Sequence, residues 1–568
     1  MLRFPKQGDL LAAENQIYLD FEQRAEQFVN KLISRYNPTD YRDIKVIHDP
    51  VWGTIKFYPW ELQLLDSPLI QRLRNINQLG LAVMTYPSAH HSRFEHTLGV
   101  ASLVTKMADS INDDFRSVDD NIQEKTVSSS DLHMLRLAAI LHDVGHCFFS
   151  HLSEKMYGDT EEFKALKSSF EIFSHSQPHE ILAYVIINTP SFKSFFMSNV
   201  KYPFEGLKDI SADLFFDSVG RMIVGAPIDE LYEIGGKVVK KYYLTEMING
   251  QFDADSLDYL RRDSYITCLS LTYHIDRFLY KLKIVNRKEK CGDKTVVGMH
   301  LTVPISGIST VEEMIFGKQM LTRYIYQHQK VLAADALVYD IVAGLRFNGK
   351  LTHPCDFLYY CDDDIYKIYD ESSDPDFIVP VCNMPVNKES TKSIADVVKQ
   401  IKTRNLPKKA LMLNLSNISE INGSKDFSLD EAHKALKNVM THGFRKALRD
   451  EARRICRKAG LDENKVDLFD IFYSVPKPTT AKNYTDVYVS THDGQFAPLN
   501  KVADLNDWAD EFSGRAWNAY VFSYADLLPI VAVAARNVLS SKGIGLYNDR
   551  VFENLKHSEQ IYKLLEKI

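Results

Sequence analysis

From Pro59 to about Tyr280 the apolar positions of this chain recur at helical spacing, as in Leu62, Leu64, Leu65, Leu69, Ile70, Leu73, Ile76 and Leu79. That spacing predicts a long succession of helices. Upstream, residues 1–40 read as a helical arm with loosely spaced Leu10, Leu11, Ile17, Leu19 and Phe21. Lys45 to Phe57 reads as a short strand and turn. Residues 281–305 (KLKIVN, a polar turn containing glycine, then TVVGMHLTVPI) read as a β-hairpin. Helix returns from Thr310 to Leu345. Pro354 to Pro385 is acidic and proline-containing, includes Asp362, Asp363 and Asp364, and reads as the start of a peripheral region without readable chemistry. Lys408 to Ile421 reads as strand and Leu429 to Lys458 as a charged helix. Val466–Tyr473 and Tyr484–Ser490 read as strands paired around a Pro-Lys-Pro loop, and the chain from about Asp504 as helix. The expected fold class is mainly α: a helical core over 41–350, with a small α+β region and C-terminal helices over 351–568.

Composition narrows the function without naming it. A chain of 568 residues can bury a large core, and its 45% apolar and 25% charged content is that of an ordinary globular protein. The net charge of −7 argues against nucleic acid as the main partner, so an anionic substrate needs a locally positive pocket. Cys147, Cys268, Cys291, Cys355, Cys361, Cys382 and Cys456 show no CxxC spacing, which favours free thiols in a reducing compartment. The N-terminus lacks a long apolar run, and Leu527–Ala535 is too short to span a bilayer. The expectation is a cytoplasmic protein with no membrane partner.

The chemistry concentrates in HSRFEH (His91–His96), LHDVGH (Leu141–His146) and DADSLDYLRRD (Asp253–Asp263). His96, His142, Asp143 and Asp255 supply imidazole nitrogens and carboxylate oxygens, a donor set suited to Mn, Fe, Zn or Mg. Such an ion leaves positions open for water and a phosphate oxygen, which is hydrolytic chemistry. The apolar run Leu135–Leu141 leads straight into His142 and Asp143, whose polar groups need partners once buried. Gly145 permits a close approach, and His146 and His151 follow within the same stretch.

The H…HD…D order resembles the HD-domain phosphohydrolase superfamily. The longer string resembles one branch of it, the deoxynucleoside triphosphate triphosphohydrolases. That resemblance runs through Lys45–Pro50, Asp66–Gly80, Arg93–Val100, His142–His151, Pro178–Glu180, the Asp255 segment and Tyr326–His328, so it covers about residues 45–330 in family order. It implies an HD-domain helical core. About forty residues precede the match, too few for the sterile-alpha-motif domain found in the family.

The resemblance also assigns roles. His96, His142, Asp143 and Asp255 carry over as metal ligands, and Arg93 as a phosphate contact. His146, His151 and His179 are the implied proton donors and phosphate contacts, with His151 first as general acid and His179 second; Glu154 or Glu180 would orient a histidine. Tyr259 and Asp263 follow Asp255 by four and eight residues and imply a deoxyribose contact, as does Tyr326. Gln78 and Leu79 match residues near sugar and base, and Lys318 a residue meeting the terminal phosphate. Ser256 stands where the family carries a phosphate-binding Lys, a loss for which Arg262 or Lys318 would compensate. Lys45, Asp66, Gln71, Arg74 and Arg277 match residues that hold an activating GTP or dGTP between subunits, which implies a homo-oligomer, with a tetramer favoured.

The implied activity is metal-dependent conversion of a dNTP and water to deoxynucleoside and triphosphate. Two other readings stand beside it: an HD phosphatase acting on monophosphates or alarmones, and a nucleotide-binding regulatory module with a vestigial site.

Overall fold

The computed structural model describes residues 15–113, 127–203, 211–228, 232–234, 237–271, 273–291, 294–367, 385–387, 392–478, 488–491, 496–503, 514, 516–553 and 555–567. The helices begin where the sequence supplies caps. Ser128 accepts from the Asp131 amide while Asp131 accepts from the Ser128 amide, starting Ser129–Leu141. Asp253 accepts from the Ser256 amide at 2.6 Å and starts Ala254–Ile266. Pro178 sits in the first turn of Pro178–Asn188, where its missing N–H costs nothing.

Arg93–Asp113 is the central element. It packs on both Ser129–Leu141 and Ala254–Ile266, so the motif-bearing segments meet along one helix. Helix Gln16–Ile33 buries Tyr18, Phe21, Ala25, Phe28, Val29 and Ile33 in this same core. Leu10 and Leu11 of the expected arm lie outside the described residues.

The expected strand and turn form as an antiparallel pair, Lys45–Asp49 against Gly53–Phe57. The expected hairpin forms as Lys283–Cys291 against Lys294–Thr302, joined on its second strand by Lys237–Lys240 and, beyond it, Tyr232–Ile234. The last two strands interrupt the run that read as helical.

A second core gathers apolar side chains from Ala410 onward, including Leu411, Leu448, Val521, Val531 and Leu539. Its three-stranded sheet runs Lys408–Leu413, Ala519–Ser523, Ile471–Ser474, flanked by His442–Lys458 and Leu528–Ser541. The expected pairing around the Pro-Lys-Pro loop is corrected here: Ile471–Ser474 pairs with Ala519–Ser523, and Tyr488–Ser490 pairs with Phe496–Pro498. The strand at 519–523 also interrupts the helix expected from Asp504; its AYVFS run is buried throughout, and a short buried strand does not alternate.

The part of the acidic segment over residues 354–367 is likewise not peripheral. Cys355, Phe357, Leu358 and Ile365 are buried in the main core, and Asp362 is 3% exposed. Arg445 clamps Asp340 with paired bonds of 2.6 and 2.8 Å, tying the second core to helix Gln329–Phe347. Among the described residues no helix is long and apolar enough to cross a membrane.

Candidate active site

His96 lies one turn into Arg93–Asp113 and is fully buried. Its Nδ1 donates to Asp258 Oδ2 at 2.7 Å, which turns Nε2 toward Asp255 Oδ1 at 2.9 Å. His142 caps Ser129–Leu141; its Nδ1 donates to the Ala139 carbonyl at 2.8 Å, so Nε2 carries a lone pair. The two Nε2 atoms are 3.3 Å apart. Asp143 Oδ1 lies 3.3 Å from His142 Nε2, and its Oδ2 lies 3.8 Å from His96 Nε2. The four expected ligands therefore converge.

Two imidazole nitrogens face to face beside carboxylates require positive charge between them. Burial alone would lower the His96 pKa, but bonds to Asp255 and Asp258 carry it up to about 10. That geometry favours positive charge there, as a proton on His96 or as a metal ion. His142 is pushed down by burial and stays a neutral donor. His96, His142 and Asp255 place ligand atoms within 4.8 Å of one another, a set fit for a divalent ion.

Behind His96 is a layer the sequence reading passed over. Asp258 accepts from His96, from Arg262 Nε at 2.8 Å and Nη2 at 3.0 Å, and from the Trp52 indole N–H. Arg262 continues to Asp49 Oδ2 at 2.8 Å and is 1% exposed. It is committed to this network and cannot take the place of the Lys missing at Ser256. Gly99 makes room for it: a Cβ there would sit 1.8 Å from Asp258 Oδ1. The signal was present as the helical spacing from Asp255 to Asp258 to Arg262, obscured by the other acids of the segment.

Arg93 donates to Asp143 Oδ2 at 3.1 Å and to Ser150 Oγ at 3.0 Å. Burial would raise the Asp143 pKa, but Arg93, His142 and His146 hold the carboxyl well below its usual range. The Arg93 Nη2 atom is buried and unpartnered in the protein, free to meet a ligand anion. His146 stacks on His179 with centroids 3.9 Å apart at 16°. Gly145 permits this approach, since a Cβ would lie 2.0 Å from the His179 carbonyl oxygen.

Glu154 faces two histidines: it accepts a hydrogen bond from His151 Nδ1 at 2.6 Å and lies at ion-pair distance, 3.2 Å, from His179 Nδ1. Burial works against protonation of His179, yet Glu154 carries its pKa up to about 9. His151 is the open member, with its side chain 58% exposed, and burial of the cluster together with Arg93 and His179 outweighs Glu154 to keep its pKa low. Glu180 instead caps its own helix through the Gln177 amide at 2.7 Å, and burial pushes its carboxyl up to about 7. Of the two candidate orienters, the contacts belong to Glu154.

Asp263 is held on both oxygens, by His91 Nε2 at 2.8 Å and the Tyr326 hydroxyl at 2.6 Å. Tyr259 is half-buried on the same helix, with Lys318 Nζ 5.9 Å from its ring centre. Gln78 is buried with Oε1 unpartnered, and Leu79 is half-buried.

Lys45 and Asp66 meet through Tyr41, and Gln71 contacts Arg74. Lys45 lies over the Tyr41 ring at 4.1 Å, and the Tyr41 hydroxyl donates to Asp66. Arg74 donates to Gln71 at 2.8 Å and rests on the Phe94 ring, within one residue of Arg93. Arg277 is exposed on Ile275–Lys281, and no hydrogen bond or ion pair joins it to that group among the described residues.

The stretch from Arg93 through the His-Asp turn to the end of the His179 helix matches the family described as HD domain, over residues 93–189. The chain is 27% identical over 311 residues to the mouse "Deoxynucleoside triphosphate triphosphohydrolase SAMHD1", covering 52% of this chain and 43% of the relative. It is 26% identical to the human protein of the same name, covering 52% and 44%. An uncharacterized protein of Methanocaldococcus jannaschii is 28% identical over 295 residues, covering 52% and 48%. The chain spans less than half the length of these relatives. The matched stretch contributes His96, His142 and Asp143, while Asp255 arrives from a helix beyond it.

Proposed function

We propose that this chain is a metal-dependent phosphohydrolase that converts a deoxynucleoside triphosphate and water to deoxynucleoside and triphosphate. The observation that carries the hydrolase reading is the pair of His96 and His142 Nε2 atoms 3.3 Å apart, flanked by Asp143 and Asp255, with Arg93 and Glu154-bound histidines alongside. His96, His142, Asp143 and Asp255 would hold the ion. When bound, a divalent ion there supplies Lewis acidity toward water and positive charge against phosphate.

The protein groups do the rest. Arg93 Nη2 binds a phosphate oxygen, and Asp143 fixes the guanidinium that presents it. Water attacks the α-phosphorus and the bond from phosphorus to the 5′-oxygen breaks. His151, oriented through Nδ1 by Glu154, gives the leaving 5′-oxygen a proton from Nε2. His179 and His146 contact the phosphates, and Lys318 meets the terminal one. The deoxyribose reading rests on Tyr259, Tyr326 and Asp263, with Gln78 and Leu79 toward sugar and base, and on the names of the mouse and human relatives. Tyr326 and Asp263, joined by a hydrogen bond, would lie against the deoxyribose and leave a 2′-hydroxyl no room. A guanine nucleotide at Lys45, Asp66, Gln71 and Arg74, completed by Arg277 of another subunit, activates the enzyme by assembling an oligomer.

The test is chromatography after incubation with Mn and each dNTP, a deoxynucleoside monophosphate, or a ribonucleoside triphosphate, with and without GTP. Deoxynucleoside from the dNTPs alone supports the reading. Turnover of the monophosphate, or of none of these substrates, overturns it.

A further inference from the structure

The turn that delivers His151 is strained. Phe149 and Ser150 both have φ of 53°, a region L-residues with side chains avoid, and Ser150 heads helix His151–Gly158 with ψ of −125°. Such a turn persists when its surroundings fix it. Two fastenings come from earlier in the chain: Ser150 Oγ donates to the Asn77 carbonyl at 2.7 Å and accepts from Arg93 Nε at 3.0 Å. The third comes from far along the chain. Asp362 Oδ1 accepts from the Phe149 amide at 2.6 Å, and its Oδ2 accepts from the Asn77 amide at 2.9 Å.

We propose that Asp362 is a positioning residue for the phosphate side of the active site. One carboxylate joins the two backbone strands that meet at Ser150, so that Arg93 and His151 keep a fixed relation to each other. The inference rests on the reading of Arg93 and His151 as phosphate-side groups. The placement is specific: Asp362 is buried, makes no ion pair among the described residues, and spends its oxygens on these two amides, while Asp363 beside it is exposed. A buried carboxylate without a cation is costly unless its hydrogen bonds are filled. The same segment is anchored at Cys361, whose thiol lies 3.8 Å from the Arg72 carbonyl oxygen; Arg72 in turn donates to the carbonyls of Val144 and His146. The segment after residue 350 thus reaches the His-Asp loop by two routes, and Asp362 is the one that ends on the strained turn.

The test compares Asp362→Asn and Asp362→Ala with Asp363→Ala in the full chain. Amide hydrogen exchange is read in the peptides over 76–79 and 147–152, together with bound Mn, kcat and KM for a dNTP. Asn keeps one acceptor and turns its NH2 against the other amide, so it fails more gently than Ala if Ala does not fold. The expected result is faster exchange confined to those two peptides, unchanged Mn content, and kcat reduced by up to about 100-fold with KM within about threefold. Asp363→Ala should match wild type. Unchanged exchange and kcat in Asp362→Asn would overturn the proposal, as would loss of Mn with faster exchange throughout the domain. If the wild-type protein turns over no dNTP, the proposed function fails, and the exchange data alone decide whether Asp362 fixes the turn.

Discussion

His96 donates from Nδ1 to Asp258 at 2.7 Å, and Asp258 is in turn held by Arg262 and Trp52. The arrangement sets the tautomer and aim of the imidazole before any ion arrives. Asp258→Asn leaves the shape and removes the charge. Its affinity for Mn is expected to fall about 10- to 100-fold. Equilibrium dialysis measures this, and wild-type affinity would mean that Asp258 serves packing alone.

The proposed ligands themselves should behave more sharply. Asp143→Ala and Asp255→Ala are expected to lose bound Mn and turnover while keeping the helical circular dichroism of wild type. Full metal occupancy in either variant would remove that residue from the ligand set.

Gly145 and Gly99 are predicted to tolerate no side chain. An alanine at 145 would press on the His179 carbonyl, and one at 99 on Asp258, in each case against groups without room to retreat. Each is expected to lower unfolding stability by about 1–3 kcal/mol, the usual cost of overpacking. Urea denaturation with neutral effect at both positions would contradict these contacts.

Proton delivery can be assigned by pH. Glu154 keeps His179 protonated until the pH rises through about 9, whereas His151 loses its proton below the ordinary imidazole value. If His151 is the acid, kcat declines with rising pH below the ordinary imidazole range. His151→Ala then lowers kcat by about 100- to 10,000-fold at unchanged Mn content. A decline centred near 9, with a mild effect of His151→Ala, transfers the role to His179.

Helical periodicity marked the main core because its helices present continuous apolar faces, and the candidate ligands stood out because His and Asp are rarely gathered in apolar sequence. What escaped was set by long-range contact. Asp362 is separated from Phe149 by more than two hundred residues, and nothing local distinguishes it from exposed Asp363. The choice between Glu154 and Glu180 depended on which carboxylate a neighbouring helix met. The pairing of Ile471–Ser474 with Ala519–Ser523 crosses a long loop, and short strands carry no record of their partners.

The proposed guanine-nucleotide site is expected to show itself in mass as well as rate. Sedimentation of wild type should shift to a larger species on adding GTP or dGTP, with activity rising in parallel, and Asp66→Ala should do neither. Full activity and constant mass without nucleotide would make Lys45, Asp66, Gln71 and Arg74 structural.

The most direct test of the central claim is hydrolysis of a dNTP in water labelled with oxygen-18, with products separated and weighed by mass spectrometry. Attack at the α-phosphorus predicts one labelled oxygen in triphosphate and none in the deoxynucleoside. Label in the deoxynucleoside, or release of diphosphate or single phosphate in place of triphosphate, would contradict it.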